Sequence, residues 1–386
     1  MTAQGSIGVA VVGIGWMGHA HTRSYLRVPH HHPELPVEPV LIAVADPEPG
    51  RARAAAERYR FRRSSEDWRD VLADPEVGAV SVTAPNALHR EIGVAVAEAG
   101  KHLWIEKPVG LGAADAQAVA SAVDRGAVRC AVGFNYRNAP AVAAARALIE
   151  KGELGTVTHA RFRLFSDYAA HPQGALSWRF ERGRGGNGVL GDLASHGVDL
   201  ARHLLGEIDS VIGDTAVVIP RRPRPTGTGS HFDLAAGEPG AVENEDYVCC
   251  LLRFAGGARG VLEASRVSVG EQNNYGFEIH GTKGMVSWDF RRMGELAVSV
   301  GETFQNQRVG VAFMGPGDGD FAAFQPGAGI PMSYDDLKVV EAALFLRSIA
   351  ETRAHGATID DAVRAAVVLD AVTESVRTGA WVGVRA

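Results

Sequence analysis

The sequence predicts an α/β protein with two domains, a doubly wound parallel sheet followed by an α+β domain on a large open, mainly antiparallel sheet. In the first third, short continuous apolar segments alternate with helical patterns, as in parallel sheets that helices cover on both faces. The rest of the chain shows hairpin patterns and then two long helical patterns. A length of 386 residues is enough for two or three domains.

The elements of the first domain follow one another in a regular order. A loop rich in proline and histidine separates the first helix from the second strand. The second helix is rich in alanine and arginine, which favour helices, and Gly100 is a natural stop for the third. Strands are predicted at 7–12, 40–45, 77–83, 103–105 and 128–134, and helices from the first glycine turn to about 27 and at 49–60, 88–99 and 113–125.

The second part of the chain has a different pattern. In 156–165, apolar Ala160, Phe162 and Leu164 alternate with polar residues, which is typical of a strand with one buried face. We expect a dinucleotide-binding domain at 1–134 and a domain for substrate binding and oligomerisation at 135–386. Hairpins are predicted at 246–254 with 258–269 and at 277–280 with 285–290, helices at 192–205, 335–351 and 359–376, and long surface loops at 220–240 and 315–329.

Composition and charge exclude several classes of protein. The formal net charge is -6, and the arginine clusters at 51–63 and at 221, 222 and 224 are short, so we interpret them as solvated surface rather than a nucleic-acid interface. Three cysteines exclude a disulfide framework and favour a reduced, cytoplasmic protein. No apolar run reaches the roughly 18 residues of a membrane span. Three contiguous histidines at 30–32 cannot easily place their rings on one ion, so no metal is expected.

A glycine-rich turn follows the first strand and opens a helix, in the G-x-G-x-x-G pattern of dinucleotide-binding Rossmann folds. Gly13 allows the tight turn, Gly15 lets the backbone approach a pyrophosphate, and Gly18 permits close packing of helix and strand. The free N–H groups of the helix attract phosphate. Asp46 ends the second strand, where its carboxylate can bind both ribose hydroxyls of NAD and repel the 2′-phosphate of NADP. A glycine turn beside a surface aspartate is the alternative interpretation.

Two loops that directly follow predicted strands, 83–89 and 106–108, carry polar groups at the sheet edge where open α/β folds bind ligands. Pro108 holds Lys107 extended, which aims the ammonium across that edge. In the second domain, Asp192 and His196 share one face near the start of a helix. The helix dipole there favours a carboxylate and a neutral imidazole, and a general base must be neutral. A solvated lysine, a capping aspartate and a core histidine are the structural alternatives.

Taken together, these motifs resemble the glucose–fructose oxidoreductase, inositol dehydrogenase and rhizopine-catabolism family (Gfo/Idh/MocA) over nearly the whole chain. Within it the chain is most similar to bacterial inositol, levoglucosan and glycoside-type dehydrogenases. It departs from the family at Asn187 and Ala194, where glycines are frequent. The matching stretches are 17–21, 83–89, 106–108, 135–137 with Pro140, 152–155, 177–180, 192–196 with Asp199, and 278–284.

The resemblance implies roles for individual residues. A catalytic triad maps onto Lys107, Asp192 and His196, and the cofactor is expected to be NAD. Expected cofactor contacts are Gly13, Gly15, Trp16, Met17, Gly18, Asp46, Ala84, Pro85, Asn86, His89, Glu106 and Lys107. Expected substrate contacts are Tyr136, Arg137, Asp167, Trp178 and Arg179 with Asp192 and His196, although Arg137 and Trp178 are equally compatible with an ion pair or core packing.

The resulting hypothesis is oxidation of a secondary alcohol on a sugar or cyclitol ring. Neutral His196 takes the hydroxyl proton, Lys107 stabilises the developing alkoxide and Asp192 orients His196 or the substrate. Lys107 as the proton acceptor remains open. Two other functions also remain open: a glycoside hydrolase that keeps NAD bound, and a reductase acting on a keto-sugar or imine. A non-catalytic sugar sensor is a third alternative, but it has no need of Lys107, Asp192 and His196 together, so their presence argues against it. As in relatives, a homodimer or homotetramer is expected.

Overall fold

The computed structural model describes residues 5–225 and 233–384, and it divides the chain into two compact units. The first unit is the chain up to Asn138 together with Met332–Val363. The second unit is Ala139–Pro331 together with the chain from Arg364 onward. The boundary predicted after residue 134 thus lies close to Asn138. The segment Met332–Val363 was expected in the second domain and belongs to the first unit.

This returning segment, Met332–Val363, belongs to the first unit because its long helix, Tyr334–Ala350, packs in the core of that unit. Leu337 and Phe345 on this helix are fully buried, and the Phe345 ring lies 6.3 Å from the ring of Trp104 in the first sheet. Apolar spacing predicted that the helix is buried. The spacing could not indicate which of the two domain cores the helix packs in.

The first unit contains a six-stranded sheet in which every neighbouring pair is parallel. Its strands are β1 Gly5–Val12, β2 Val37–Ala45, β3 Arg63–Ser65, β4 Ala79–Val82, β5 His102–Ile105 and β6 Cys130–Val132. Its helices are α1 Trp16–His31, α2 Arg51–Tyr59, α3 Trp68–Ala73, α4 Asn86–Glu98 and α5 Ala113–Gly126. The strand order β3-β2-β1-β4-β5-β6 confirms the doubly wound prediction.

Three details differ from the predicted elements. Helix α1 continues through Pro29 to His31, because the N–H of His32 still reaches the carbonyl of Val28 at 2.8 Å on the far side of the proline. Strand β3 and helix α3 were not predicted. Both are short, and α3 depends on a local cap in which the Asp67 carboxylate accepts the N–H of Arg69 at 2.9 Å.

The second unit is built on a nine-stranded sheet. Its strands are β7 Val157–Phe165, β8 Ile208–Ala216, β11 Tyr247–Phe254, β12 Arg259–Ser265, β13 Asn274–Gly281, β14 Gly284–Asp289, β15 Glu295–Val300, β16 Gly310–Phe313 and β17 Val382–Gly383. Their order is β16-β15-β14-β13-β7-β12-β11-β8-β17, and only β7 and β12 pair in parallel. Both predicted hairpins form, β11 with β12 and β13 with β14, so the mainly antiparallel prediction is confirmed.

The remaining elements are helices and a small ribbon. The helices are α6 Pro140–Glu150, α7 Arg182–Gly185, α8 Ser195–Leu205, α9 Tyr334–Ala350 and α10 Ile359–Thr378. The ribbon pairs β9 Arg221–Pro223 with β10 Pro239–Ala241, at the two ends of the predicted loop 220–240. Residues 226–232 of that loop lie outside the described part. In the described residues, no helix is both long and apolar enough to cross a membrane.

The ribbon corrects one sequence interpretation, because Arg222 is not a solvated surface residue. Its side chain is 1% exposed and its guanidinium lies 4.4 Å from the centre of the Phe180 ring. It donates to the carbonyl of His171 at 3.0 Å and to that of Ala169. These contacts link the ribbon to the segment that follows β7.

The predicted helix 192–205 is composed of two parts. The α-helix α8 begins at Ser195, and a π-helical turn, Leu190–Ala194, precedes it. Helix α8 packs closely on the sheet through Gly197, since a Cβ there would lie 2.5 Å from the Leu164 side chain and 2.9 Å from that of Leu262. Such π-turns are rare and occur frequently at functional sites.

Candidate active site

The glycine turn has the shape that a dinucleotide pyrophosphate requires. Gly13 has a φ of +87°, and a Cβ at this position would lie 2.8 Å from the N atom of Ala84. A Cβ on Gly18 would lie 2.1 Å from the Gly13 carbonyl oxygen, so only glycine lets α1 start this close to the turn. A Cβ on Gly15 would meet nothing within 4 Å. The turn therefore leaves open space in front of the first N–H groups of α1, which fits a bound phosphate.

The Asp46 carboxylate is tied to the same turn. It accepts the N–H of Ile14 at 2.8 Å and that of Glu48 at 3.0 Å, and the guanidinium of Arg51 lies 3.4 Å away. A carboxylate has about four acceptor positions, so roughly one remains for a ribose hydroxyl. Asp46 is only 5% exposed, and its negative charge is fixed at the end of β2.

The loop after β4 lies against the glycine turn, as the predicted cofactor contacts require. Thr83 donates its hydroxyl to the Gly13 carbonyl, and its N–H bonds to the carbonyl of Val12 at 2.9 Å. Ala84 and Pro85 are half-buried, and α4 begins at Asn86. These residues occupy the carboxyl ends of β1 and β4, where the strand order of the sheet reverses.

His89 joins this loop to the segment that carries Lys107. The imidazole is 1% exposed, with Nδ1 lying 2.7 Å from the carbonyl oxygen of Pro108 and Nε2 lying 2.7 Å from that of Ala84. Burial lowers the pKa of His89, so the neutral ring donates to one of the two carbonyls. The side chain therefore anchors the backbone at one of these two positions, Ala84 or Pro108.

Lys107 follows β5 and is half-buried, whereas the neighbouring Glu106 is buried in a charged cluster. The Glu106 carboxylate accepts a hydrogen bond from the Lys338 ammonium of α9 and lies 2.9 Å from Nε2 of His21. Burial alone would raise the pKa of Glu106, but the Lys338 charge and the His21 contact outweigh it and hold that pKa well below its usual range. The Glu106 side chain thus anchors the backbone beside Lys107.

A second carboxylate, Glu341, completes the cluster. It accepts from the indole N–H of Trp104 at 2.6 Å and from Lys338 at 3.2 Å. The donor atoms of His21, Glu106 and Glu341 lie within 4.8 Å of one another, close enough for a metal ion. The Lys338 ammonium bonds to both carboxylates, so the cluster already contains its cation.

In the second unit, Asp192 lies in the π-helical turn and His196 in the first turn of α8. His196 is 6% exposed and Asp192 is half-buried. The Tyr168 hydroxyl donates to Oδ2 of Asp192 at 2.6 Å. The turn that carries Asp192 is fixed by Glu245, whose carboxylate accepts the N–H of Leu190 at 3.0 Å.

The predicted substrate contacts have different surroundings in the two units. Arg137 pairs with Asp361 at 3.1 Å, which is the ion-pair alternative considered for it. Asp167 accepts from Gln272 at 2.9 Å. The Arg179 guanidinium lies 4.4 Å from the centre of the half-buried Trp178 ring.

An aromatic cluster beside the glycine turn includes Tyr136. The Trp16 ring is 59% exposed and stacks on Tyr334 with centroids 5.4 Å apart. The Tyr136 ring is 6.3 Å from that of Tyr334, whose hydroxyl lies 3.5 Å from Sδ of Met17. Tyr136, Trp16 and Met17 are therefore brought together by a tyrosine of α9.

Three residues at these sites were missed by sequence reasoning: Tyr168, Tyr334 and Lys338. Tyr334 lies 317 positions from Met17 and Lys338 lies 232 positions from Glu106, and no motif marks either residue. Tyr168 had a usable signal. It follows the end of β7 by three residues, at the kind of position where sites collect.

Comparisons with known proteins agree with this architecture. Residues 7–134 match the family model described as "Oxidoreductase family, NAD-binding Rossmann fold". Residues 142–287 match the model of the GFO/IDH/MocA C-terminal domain. Together the two models cover most of the chain.

Similar proteins include named dehydrogenases. Levoglucosan dehydrogenase of Pseudarthrobacter phenanthrenivorans is 35% identical over 98% of both chains, and scyllo-inositol 2-dehydrogenase (NAD(+)) of Bacillus subtilis is 31% identical over 72% of both. A solved levoglucosan dehydrogenase in complex with NADH and levoglucosan superimposes with a TM-score of 0.93, at 34% identity, covering 99% of this chain and 100% of that one. The predictions of fold class, family and NAD as cofactor are confirmed. This chain belongs to the GFO/IDH/MocA family and is an NAD-binding oxidoreductase.

Proposed function

We propose that this enzyme oxidises a secondary hydroxyl on a sugar or cyclitol ring to a ketone. The observation that carries the proposal is the likeness to levoglucosan dehydrogenase, which extends over almost the full length of both chains. An anhydrosugar is the first substrate class to test, with inositols next, because inositol dehydrogenases are also among the relatives.

His196, Lys107 and Asp192 divide the proton chemistry among them. Neutral His196 accepts the proton of the substrate hydroxyl as general base. Lys107 donates a hydrogen bond to the same oxygen and stabilises the alkoxide that develops there. Asp192 orients the imidazole or a substrate hydroxyl. NAD supplies the acceptor for the hydride that leaves the ring carbon.

The other candidate contact residues are proposed to have two different roles. Tyr136, Asp167, Trp178 and Arg179 are proposed to contact the substrate. Arg137 is proposed to contribute through its pairing with Asp361, as an anchor. A homodimer or homotetramer and a cytoplasmic location stay predictions.

The test is a screen of the purified enzyme for NADH formation with anhydrosugars, inositols, hexoses and glycosides, each with NAD and with NADP. We expect turnover with at least one anhydrosugar or cyclitol. Release of a cleaved product without net NADH would instead identify a glycoside hydrolase, and activity only with a keto-sugar and NADH would identify a reductase. Absence of activity with every substrate and both cofactors would overturn the proposal.

Replacement of Asp46 by asparagine tests its proposed role in cofactor choice. The amide keeps an acceptor for the N–H of Ile14 but removes the charge that repels a 2′-phosphate. Hydrogen bonds to charged groups contribute about 1.5–3 kcal/mol, so we expect Kd for NAD to rise about ten- to hundredfold.

The measurement is a fluorescence titration with NADH and NADPH on the wild type and on Asp46→Asn. Asp70→Asn is a suitable control, because Asp70 lies on α3 and accepts the Ser65 hydroxyl at 2.5 Å. An unchanged ratio of the two affinities in Asp46→Asn would contradict the proposed role.

A further inference from the structure

Tyr168 is a residue to which no motif assigns a role, yet its hydroxyl contacts the carboxylate of Asp192. Its hydroxyl oxygen lies 2.6 Å from Oδ2 of Asp192, which is the usual length of a hydrogen bond from a hydroxyl to a carboxylate. Both residues lie in the second unit, 24 positions apart: Tyr168 in the segment that follows β7, and Asp192 in the π-helical turn.

The backbone around Tyr168 is fixed on both sides. The N–H of Ser166 bonds to the carbonyl of Ser265 at 2.9 Å, and the N–H of Ala169 bonds to the carbonyl of Arg266 at 2.9 Å. Both bonds run to the end of β12 and the residue after it. The short segment that carries the tyrosine is therefore held against the sheet before any ligand binds.

The ring of Tyr168 is also held in place. It packs against a buried apolar cluster formed by Ala169, Leu176, Phe180 and Val242. The guanidinium groups of Arg222 and Arg266 each lie 4.4 Å from the centre of the Phe180 ring. Few rotamers are left to the tyrosine, so its hydroxyl is directed at Asp192 at little further entropic cost.

The protonation state of Tyr168 makes its hydroxyl a hydrogen-bond donor. Burial and then the neighbouring Asp192 charge raise the pKa of Tyr168 well above its usual value, so the phenol keeps its proton at neutral pH. A carboxylate of Asp192 can only accept hydrogen bonds, and one of its oxygens is engaged by this phenol. The other oxygen is thereby oriented relative to the rest of its turn.

We propose that Tyr168 is a positioning residue that holds the Asp192 carboxylate in the orientation needed for proton transfer at His196. This inference rests on the proposed function, because it assigns Tyr168 an effect only through a catalytic Asp192. Tyr168 itself need not touch the substrate.

The test replaces Tyr168 by phenylalanine, which removes one hydroxyl and keeps the packing of the ring. We expect kcat to fall about ten- to hundredfold, the range for losing a hydrogen bond to a charged group, with KM changed less than threefold. Tyr247→Phe is the matched control. That tyrosine is also half-buried in the second unit and its hydroxyl donates to Glu263 at 2.8 Å rather than to Asp192, so kcat of Tyr247→Phe should match that of the wild type.

A double-mutant cycle separates positioning from a general loss of structure. In an Asp192→Ala background, Tyr168→Phe should cost less than threefold in residual activity, because the group it positions is gone. Equal losses in both backgrounds, or a wild-type kcat for Tyr168→Phe, would overturn the inference. Full activity of Asp192→Ala would instead overturn the proposed catalytic site itself. Each variant is assayed below its unfolding temperature, and its NADH binding is measured. Folding defects are thereby excluded as the cause of a lower activity.

Discussion

Replacement of His196 by alanine is expected to lower kcat/KM by about a hundred- to ten-thousandfold, the usual contribution of a general base. The loss should have a characteristic pH dependence. If His196 is the base, kcat/KM of the wild type should rise with pH as the base loses its proton, and this rising limb should be absent from His196→Ala. The measurement is a pH series of kcat/KM with the substrate found in the screen.

Lys107→Met completes this comparison. The variant loses the ammonium that stabilises the alkoxide, so its kcat/KM should fall by about a hundred- to a thousandfold. It should nevertheless keep the rising limb, since His196 is intact. If His196→Ala keeps that limb and Lys107→Met loses it, then Lys107 is the proton acceptor.

His203→Ala is the matched control for the histidine. His203 lies two turns further along α8 and contacts Arg146 at 3.2 Å on the exposed side. The substitution removes the same side-chain atoms from the same helix as His196→Ala does. It should leave kcat/KM within about twofold of the wild-type value. Cofactor binding provides a second check, because the glycine turn and Asp46 belong to the first unit, so NADH affinity should be unchanged in His196→Ala.

Local sequence patterns were sufficient to predict the first sheet and the cofactor turn. The strand from Gly5 to Val12, the glycine turn and Asp46 are close in sequence, and their roles follow from backbone geometry that only a few residue types permit. The two hairpins were predicted for the same reason, because alternation and glycine turns are local signals.

Contacts between distant segments could not be predicted. Glu106 and Lys338 are 232 positions apart, and a lysine within a helical pattern is usually solvated. Arg222 was misinterpreted by the same reasoning, because an arginine cluster in a proline-rich loop gives no sign that Phe180 will stack against one of its members. In each case the partner that compensates the buried charge lies on another element.

The π-helical turn before α8 is a third feature that the sequence did not predict. Helical spacing correctly placed Asp192 and His196 in one helical region, but it did not reveal that Asp192 lies in a π-turn. That turn depends on Glu245, which accepts the N–H of Leu190, and on Gly188, where a Cβ would lie 2.1 Å from the Glu245 carbonyl oxygen. Both are tertiary contacts, which a local periodicity cannot report.

The largest expected effect on stability follows from the buried charges around Lys338. Burial lowers the pKa of Lys338, but the Glu106 and Glu341 carboxylates outweigh it and hold that pKa above its usual value, so the ammonium is charged. Burial lowers the pKa of His21 to about 4, so this imidazole is neutral and donates to Glu106. Lys338 is thus the only cation among the side chains described in this cluster.

Lys338→Met keeps the aliphatic stem but leaves Glu106 charged and buried without its cation. Removing one partner of a buried pair typically costs about 3–5 kcal/mol, and we expect that loss in the free energy of unfolding of the first unit. Urea unfolding of the apo-enzyme, followed by tryptophan fluorescence, measures it. The double variant Lys338→Met with Glu106→Gln should recover part of the loss, because the amide carries no charge that needs a cation.

Glu341→Gln is the control that separates charge from packing. Burial raises the pKa of Glu341 to about 7, well above the roughly 4.3 of an unfolded glutamate. A raised folded-state pKa means that this group's stabilising contribution is complete below about pH 4 and is lost as the pH rises through 7. Glutamine cannot ionise and still accepts from Trp104, so Glu341→Gln should gain stability relative to the wild type between about pH 5 and 8. If instead Lys338→Met and Glu341→Gln destabilise the unit equally at pH 8, packing and not the buried charge of Glu106 determines its stability.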